Sequence, residues 1–234
     1  GNTYVGVEFA DGAQGNLLHG NLIGTNAAGT DARGNLSGIA MQGADIANNT
    51  ISRNTISGNK QDGIVLARAH HNRFAGNLIG TDLTGSYAIP NGTPYGPGGT
   101  GIGCYDNAHD NRIGGPALED RNVISGHPYC GVYIGPDTAA MTITGNYIGT
   151  DASGSFAISN DYGVILDSTS GNTIGGVGAG ERNVISGNGV MGIAAHLSTG
   201  TTIAGNLIGT DATGTSQVGN GYGIFLTGPG SSSH

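Results

Sequence analysis

The stretch Arg182-Asn183-Val184-Ile185-Ser186-Gly187-Asn188 is one copy of a pattern that runs through the whole chain. In each copy an Asn is followed two residues later by an Ile, and then by Gly or Ser. The copies begin at Asn21, Asn54, Asn77, Asn122, Asn146, Asn183 and Asn206. Internal repetition of this kind is typical of repeat architectures. We expect the Asn side chains to form a structural ladder, hydrogen-bonding along the stack or closing the corners of the backbone.

Two further series of residues keep step with the first. Gly–aliphatic pairs begin at Gly6, Gly38, Gly63, Gly101, Gly131, Gly163, Gly192 and Gly223. Apolar centres stand at Leu18, Ile51, Phe74, Ile113, Ile143, Ile174 and Ile203. All three series are short and alternating, with Gly, Asn, Asp and Ser at the corners, so each unit holds three short strands. Each strand can pair in parallel with its copy in the next unit, which predicts an all-β solenoid of about seven turns with an aliphatic interior.

The corner motifs extend this interpretation to a known fold. Long corners carry Gly-Thr-(Asp/Asn)-x-x-Gly, as at Thr81-Asp82, and short corners carry Arg-Asn-x-Ile-Ser-Gly. The sequence resembles the right-handed parallel β-helix of pectate-lyase-like proteins, and more narrowly the β-helix repeats of bacterial exported and cell-surface proteins. The resemblance implies one right-handed β-helix domain over residues 1–227 and an extracellular or cell-surface location. Residues 228–234 are interpreted as a linker and the remnant of a tag.

The ends and the composition set further expectations. Neither end shows a capping pattern, so we expect a fragment of a longer chain whose open ends could pair end to end. The net charge is −8 and Lys60 is the only lysine, which argues against a nucleic-acid partner. No apolar run reaches the ~18 residues of a membrane span.

The two cysteines, Cys104 and Cys130, form neither a disulfide framework nor a zinc pattern. In the predicted register they lie four strand positions apart on successive turns. That separation favours two buried free thiols over a disulfide.

Polar and aromatic residues concentrate on the outer face of the first strand of each unit. Strand alternation points Glu8, Gln42, Tyr105, Tyr133, Asp167 and His196 outward. Tyr95 and Tyr162 lie just before two of these strands. Tyrosine rings stack on sugars and carry a hydroxyl group for hydrogen bonding, so Tyr95, Tyr105, Tyr133 and Tyr162 are the glycan-binding candidates. The sequence thus favours a rigid extracellular β-solenoid segment, structural or adhesive, with polysaccharide or cell-surface glycan as partner.

An enzymatic alternative stays open, because the fold resembled here includes polysaccharide lyases and glycoside hydrolases. The candidate catalytic residues are Asp106, Asp137, Asp167 and His196, which could line an acidic and aromatic groove. The Asn-Thr-Asp, Asp-Asp and Gly-His-Gly motifs of galacturonase-like enzymes are absent.

Two kinds of metal site were considered. Asp82, Asp151 and Asp211 at the long corners are weak calcium candidates, because a turn that begins with Asp and ends with Gly is sufficient to explain them. His70 and His71, with His109 one turn away, suggest a transition-metal site. Against this, adjacent strand residues point to opposite sides, so the two neighbouring histidines are expected not to share one ion.

Overall fold

The short strands expected for each repeat are present in the computed structural model, which describes residues 1–94, 96 and 98–228. In chain order they are β1 (Val5–Phe9), β2 (Leu17–His19), β3 (Leu22–Ile23), β4 (Ser37–Gln42), β5 (Thr50–Ser52), β6 (Thr55–Ile56), β7 (Ile64–Ala67), β8 (Arg73–Ala75), β9 (Leu78–Ile79), β10 (Thr100–Tyr105), β11 (Arg112–Gly114), β12 (Val123–Ile124), β13 (Cys130–Ile134), β14 (Thr142–Thr144), β15 (Tyr147–Ile148), β16 (Tyr162–Asp167), β17 (Thr173–Gly175), β18 (Val184–Ile185), β19 (Met191–His196), β20 (Thr202–Ala204), β21 (Leu207–Ile208) and β22 (Tyr222–Thr227). Within the described ranges the only helical segment is a 3-10 turn, Leu118–Asp120. No helix there is long and apolar enough for a membrane span.

The strands form three parallel sheets in which every third strand is a neighbour. The first sheet has the order β1-β4-β7-β10-β13-β16-β19-β22, the second β2-β5-β8-β11-β14-β17-β20 and the third β3-β6-β9-β12-β15-β18-β21. Each coil of the chain therefore adds one strand to each sheet. These are the sheets of a right-handed parallel β-helix, the hand that parallel crossover connections almost always take. The predicted fold class is confirmed.

The interior is a set of stacked aliphatic rows. In the third sheet Ile23 pairs with Ile56, Ile56 with Ile79, and Ile79 with Ile124. Ile56, Ile79 and Ile124 are completely buried, and the side chain of Ile23 is 6% exposed. The other two sheets contribute buried rows of the same kind to the interior. In the first sheet the row includes Ile39, Ile64 and Ile102, and in the second it includes Ile51, Phe74 and Ile113. Burial of these rows is the main favourable contribution to folding.

Three polar ladders run along the corners of the shaft. In the first, Asn54 Oδ1 accepts hydrogen bonds from the backbone N–H of Asn21 at 2.9 Å and from its Nδ2 at 3.0 Å, and the pattern continues to Asn206. In the second, the chain of bonds runs from Asn16 to Asn111. The third joins Asn35, Asn59, Asn91, His127, Asn160, Asn188 and Asn220. Only the first ladder was predicted from the sequence.

Cys104 and Cys130 are buried free thiols, as the predicted register indicated. Cys130 pairs across the first sheet with Thr100, four positions from Cys104. Burial raises the pKa of Cys104 to about 12, so the thiol stays protonated and chemically inert.

Candidate functional site

A cluster of four tyrosine rings lies along the first sheet at β10, β13 and β16. The ring centroids of Tyr105 and Tyr133 are 5.4 Å apart, those of Tyr129 and Tyr133 are 6.4 Å apart, and those of Tyr129 and Tyr162 are 6.0 Å apart. These distances are typical of interacting aromatic pairs. We call Tyr105, Tyr129, Tyr133 and Tyr162 the tyrosine cluster. The other glycan candidate, Tyr95, lies outside the described residues.

Two glycines allow the rings of Tyr105 and Tyr133 to lie close to the sheet. Gly103 pairs with Tyr133 in the neighbouring strand. Cys104 pairs with Ile134, so the residues that follow them, Tyr105 and Gly135, lie beside each other. A Cβ atom on Gly103 would come within 2.7 Å of the Tyr105 hydroxyl oxygen, and one on Gly135 within 2.7 Å of Tyr133 Cε1. Both contacts are too short for a side chain, so each ring occupies the space that a larger residue would fill. The result is an aromatic surface only partly exposed to solvent.

Carboxylates flank the tyrosine cluster on both sides. The Tyr133 hydroxyl group donates a hydrogen bond of 3.3 Å to Asp167, and Asp62 accepts one of 2.9 Å from the backbone N–H of Thr100. Burial and the Asp167 charge raise the pKa of Tyr133 to about 12, while burial and the Asp62 charge raise the pKa of Tyr105. Burial also raises the pKa of Asp62. At neutral pH Tyr105 and Tyr133 therefore keep their hydroxyl protons next to an acidic margin.

The four candidate catalytic residues do not share one set of contacts. Asp106 and Asp137 are exposed in left-handed turns, with φ of 49° and 61°. Asp167 pairs in register with His196, yet Asp167 accepts hydrogen bonds from Tyr133 and Ser168. His196 Nδ1 lies 2.8 Å from Thr227 Oγ1. Within the described ranges Asp167 and His196 form no ion pair with each other.

The calcium candidates use their oxygens to hold their own corners. Asp82 Oδ1 accepts the backbone N–H groups of Ser86 at 2.8 Å and Tyr87 at 3.0 Å, and Oδ2 accepts the Thr84 hydroxyl group. Asp151 and Asp211 make the same two backbone contacts. In the first long corner Asn26 accepts the backbone N–H of Thr30 in the same way. The long corner thus needs a side-chain oxygen to accept backbone N–H groups, and the amide oxygen of Asn26 can serve in place of a carboxylate.

We expect Asp151→Asn to lower the free energy of unfolding less than Asp151→Ala, which lowers it by about 1 kcal/mol, because only alanine removes the acceptor of two backbone N–H groups. Burial opposes ionisation of Asp151, but hydrogen bonds from Phe156, Ser153 and Ser155 outweigh it and lower the pKa. A lowered pKa adds stability above the unfolded-state value of ~3.9, and that stability is lost as the pH falls further. Urea denaturation from pH 7 to pH 2 measures both effects. Equal stability of the two variants at pH 7 would contradict the assignment.

A second cluster lies at the corner between the first and second sheets. We call His70, His71, His109 and Asp110 the histidine corner. His70 Nδ1 lies 3.0 Å from His71 Nδ1, and His109 Nδ1 lies 2.8 Å from Asp110 Oδ2. The rings of His70 and His109 are stacked with centroids 4.9 Å apart and an interplanar angle of 4°. One ligand atom from each of His71, His109 and Asp110 can be chosen so that all three lie within 4.8 Å of one another.

The prediction that His70 and His71 face opposite sides is wrong. His71 has φ of 55° and Asp110 has φ of 52°, so both residues are left-handed and end the strand-like alternation. The chain turns its corner at this position, which brings the neighbouring rings together. His70 pairs with His109 across adjacent coils, so the two-residue steps His70-His71 and His109-Asp110 are stacked.

The sequence analysis did not select Tyr129, Asp62 or Asp110 as site residues. Tyr129 and Asp110 carried a usable signal, because Tyr129 stands just before a first-sheet strand and His109-Asp110-Asn111 repeats the spacing of His70-His71-Asn72. Asp62 lies in a corner of variable length, and no sequence pattern places it beside Tyr105.

Comparison with known proteins gives one family. A family model described as NosD, periplasmic copper-binding protein, matches residues 1–113. The matched stretch contains the whole histidine corner and, from the tyrosine cluster, Tyr105. No curated protein matches the chain, and no solved structure matches it either.

Proposed function

We propose that this chain is a rigid β-solenoid segment of the cell envelope that contacts a neutral glycan through the tyrosine cluster. The observation that carries the proposal is the set of ring contacts that join Tyr105, Tyr133, Tyr129 and Tyr162 into one partly exposed aromatic surface. Solvent-facing aromatic groups of this kind present both an apolar surface and hydroxyl donors, which suits a sugar ring.

The charge around the cluster favours a neutral sugar over a uronic acid. Asp62 and Asp167 adjoin Tyr105 and Tyr133, and the net charge of the chain is −8. A polyanionic chain would therefore meet like charges along its path. A neutral glycan can instead accept hydrogen bonds from the Tyr105 and Tyr129 hydroxyl groups, and its own hydroxyl groups can donate to the Tyr133 oxygen and to the carboxylates.

The cell-envelope location is supported by the periplasmic description of the matched family and by the exported proteins that the repeats resemble. The stacked strands and polar ladders support the structural part of the proposal, since each coil is tied to both neighbours by backbone and side-chain hydrogen bonds. An adhesive role would use this stiffness to hold a glycan surface at a fixed orientation. Pairing through the solenoid ends stays a prediction, to be tested by sedimentation.

We expect Tyr105→Ala and Tyr133→Ala each to weaken binding to a neutral glycan by about tenfold or more, because each removes a ring from the aromatic surface next to its acidic margin. The measurement is a glycan array followed by calorimetry on the strongest neutral ligand. Tyr87→Ala is the matched control, since Tyr87 is 74% exposed and outside the cluster. A selective response to polyuronates, or equal loss in the control, would contradict the proposal.

Polysaccharide cleavage and calcium binding stay predictions. A broad polysaccharide panel, read by reducing ends and unsaturated products with wild type and Asp167→Asn, tests the first. Calcium calorimetry with the Asp151→Asn protein tests the second. The copper named in the family description belongs to that family. In this chain the histidine corner is the donor set that suits such an ion, and all four of its residues lie in the matched stretch.

A further inference from the structure

The histidine corner places four metal-ligating side chains from two successive coils at one point of the surface. His71 and Asp110 are exposed and His70 and His109 are half-buried. The pairing of His70 with His109 fixes the backbone of both coils at this corner. We propose that the histidine corner binds one divalent transition-metal ion of the class that prefers imidazole ligands, a function independent of glycan binding.

The donor distances fit the first coordination shell of such an ion. Two nitrogens bound at ~2.0–2.1 Å to one ion, at an angle of ~90–110°, are about 2.8–3.4 Å apart. The 3.0 Å separation of His70 Nδ1 and His71 Nδ1 falls in this range. The 2.8 Å separation of His109 Nδ1 and Asp110 Oδ2 is at its lower edge. His71 links the two pairs, because it offers a ligand atom within 4.8 Å of one from His109 and one from Asp110.

The backbone around the corner is held before any ion binds. Asn72 Nδ2 donates to the His70 carbonyl oxygen at 3.0 Å and to Asn111 Oδ1 at 3.1 Å. Asn72 and Asn111 follow the two ligand pairs directly and belong to the second ladder. A site built on such fixed elements loses little conformational entropy when it binds.

The same corner in the other coils lacks this donor set. The column that contains His70 and His109 continues with Ala47 on one side and Ala139 on the other. The left-handed column that contains His71 and Asp110 includes Asn48, Ala140, Gly15, Gly171 and Gly200. The fold therefore does not require histidine here, and alanine and glycine are residues that the same backbone accepts elsewhere.

The chemistry of the donors selects the ion. Three imidazoles and one carboxylate suit Cu²⁺, Ni²⁺ and Zn²⁺, whereas Ca²⁺ and Mg²⁺ prefer oxygen ligands only. Among the divalent ions, Cu²⁺ is bound most tightly by nitrogen and oxygen sites of a given geometry. His127 does not compete, because it is buried inside the third ladder.

The test titrates metal-free protein with CuCl₂ in a non-coordinating buffer, by calorimetry and by electron paramagnetic resonance of the bound Cu²⁺. We expect one equivalent bound, with hyperfine splitting from imidazole nitrogen. His109→Ala and His71→Gly copy residues found at the same corner of other coils, so both are expected to fold. Each is expected to weaken binding at least ~10-fold while the melting temperature of the metal-free protein stays close to that of wild type.

Ala140→Gly is the matched control, because it makes the same type of change in the left-handed column without removing a ligand. It is expected to bind Cu²⁺ as wild type does, and so is Tyr133→Ala. The proposal is overturned if the double variant His71→Gly/His109→Ala binds as tightly as wild type. It is also overturned if wild type binds only several weak equivalents without nitrogen splitting.

Discussion

Replacing Asn122 with alanine is expected to lower the free energy of unfolding by about 4 kcal/mol, because four hydrogen bonds in a dry corner are lost together. Asn122 Oδ1 accepts the backbone N–H and the Nδ2 of Asn77, at 2.9 and 3.0 Å. Its Nδ2 donates to the Phe74 carbonyl oxygen at 2.9 Å and to Asn146 Oδ1 at 2.8 Å. Asn122 is completely buried, so water cannot replace the missing partners.

Asn21→Ala is the matched control within the same ladder. Asn21 is exposed, and its Nδ2 donates to Asn54 Oδ1 and to the carbonyl oxygen of His19. Water can replace these bonds, so the expected cost is about 1 kcal/mol. Chemical denaturation of both variants, monitored by circular dichroism, measures the difference. Equal losses would show that burial of the ladder does not determine its contribution to stability.

The fold could be predicted because its determinants repeat at short range. Ile23, Ile56, Ile79 and Ile124 each stand two residues after an Asn, and both residues occupy the same place in every coil. The third ladder was missed because its members alternate between two spacings: Asn91 stands 12 residues after Ile79 at a long corner, whereas Asn59 stands 3 residues after Ile56 at a short one. One member is also a histidine, which no Asn pattern can include.

The candidate sites were only partly predictable for a related reason. Alternation correctly placed Tyr105 and Tyr133 on the outer face, because both belong to regular strands. At His71 and Asp110 the backbone is left-handed, and alternation no longer applies. Gly15, Gly171 and Gly200 mark this left-handed position in other coils, but alternation was applied across it, so the stacking of the two ligand pairs had to be seen in the structure.

At both candidate sites the side chains differ from those at the equivalent positions of neighbouring coils. Tyr105 stands between Ala67 and Gly135 on the outer face, and His70 and His109 stand between Ala47 and Ala139 at the corner. The small neighbours leave room for rings, and the coil spacing sets the distance between them. In a repeat protein the scaffold is common to all coils, so such departures are where specific binding can arise.

Acidification from pH 6.5 to pH 4 is expected to destabilise the protein by up to about 3 kcal/mol through His127 alone. Burial lowers the pKa of His127 to about 4, against an unfolded value of ~6.5. Its contacts also require the neutral ring, because Asn91 Nδ2 donates to Nε2 at 3.2 Å and Nδ1 donates to Asn160 Oδ1 at 3.0 Å. Between the two pKa values the unfolded state binds more protons, so stability rises with pH across this window and is constant above it.

His127→Asn restores the residue that the other coils use in the third ladder and removes the titrating group. We expect its stability at pH 7 to be within about 1 kcal/mol of wild type, since the smaller side chain leaves a gap only where the ring lies over Gly80 and Gly101. Its stability between pH 6.5 and pH 4 should then lose most of the wild-type slope. The corner aspartates do not interfere, because their lowered pKa values act below pH 4. Parallel slopes for the two proteins would mean that His127 is not held neutral inside the ladder.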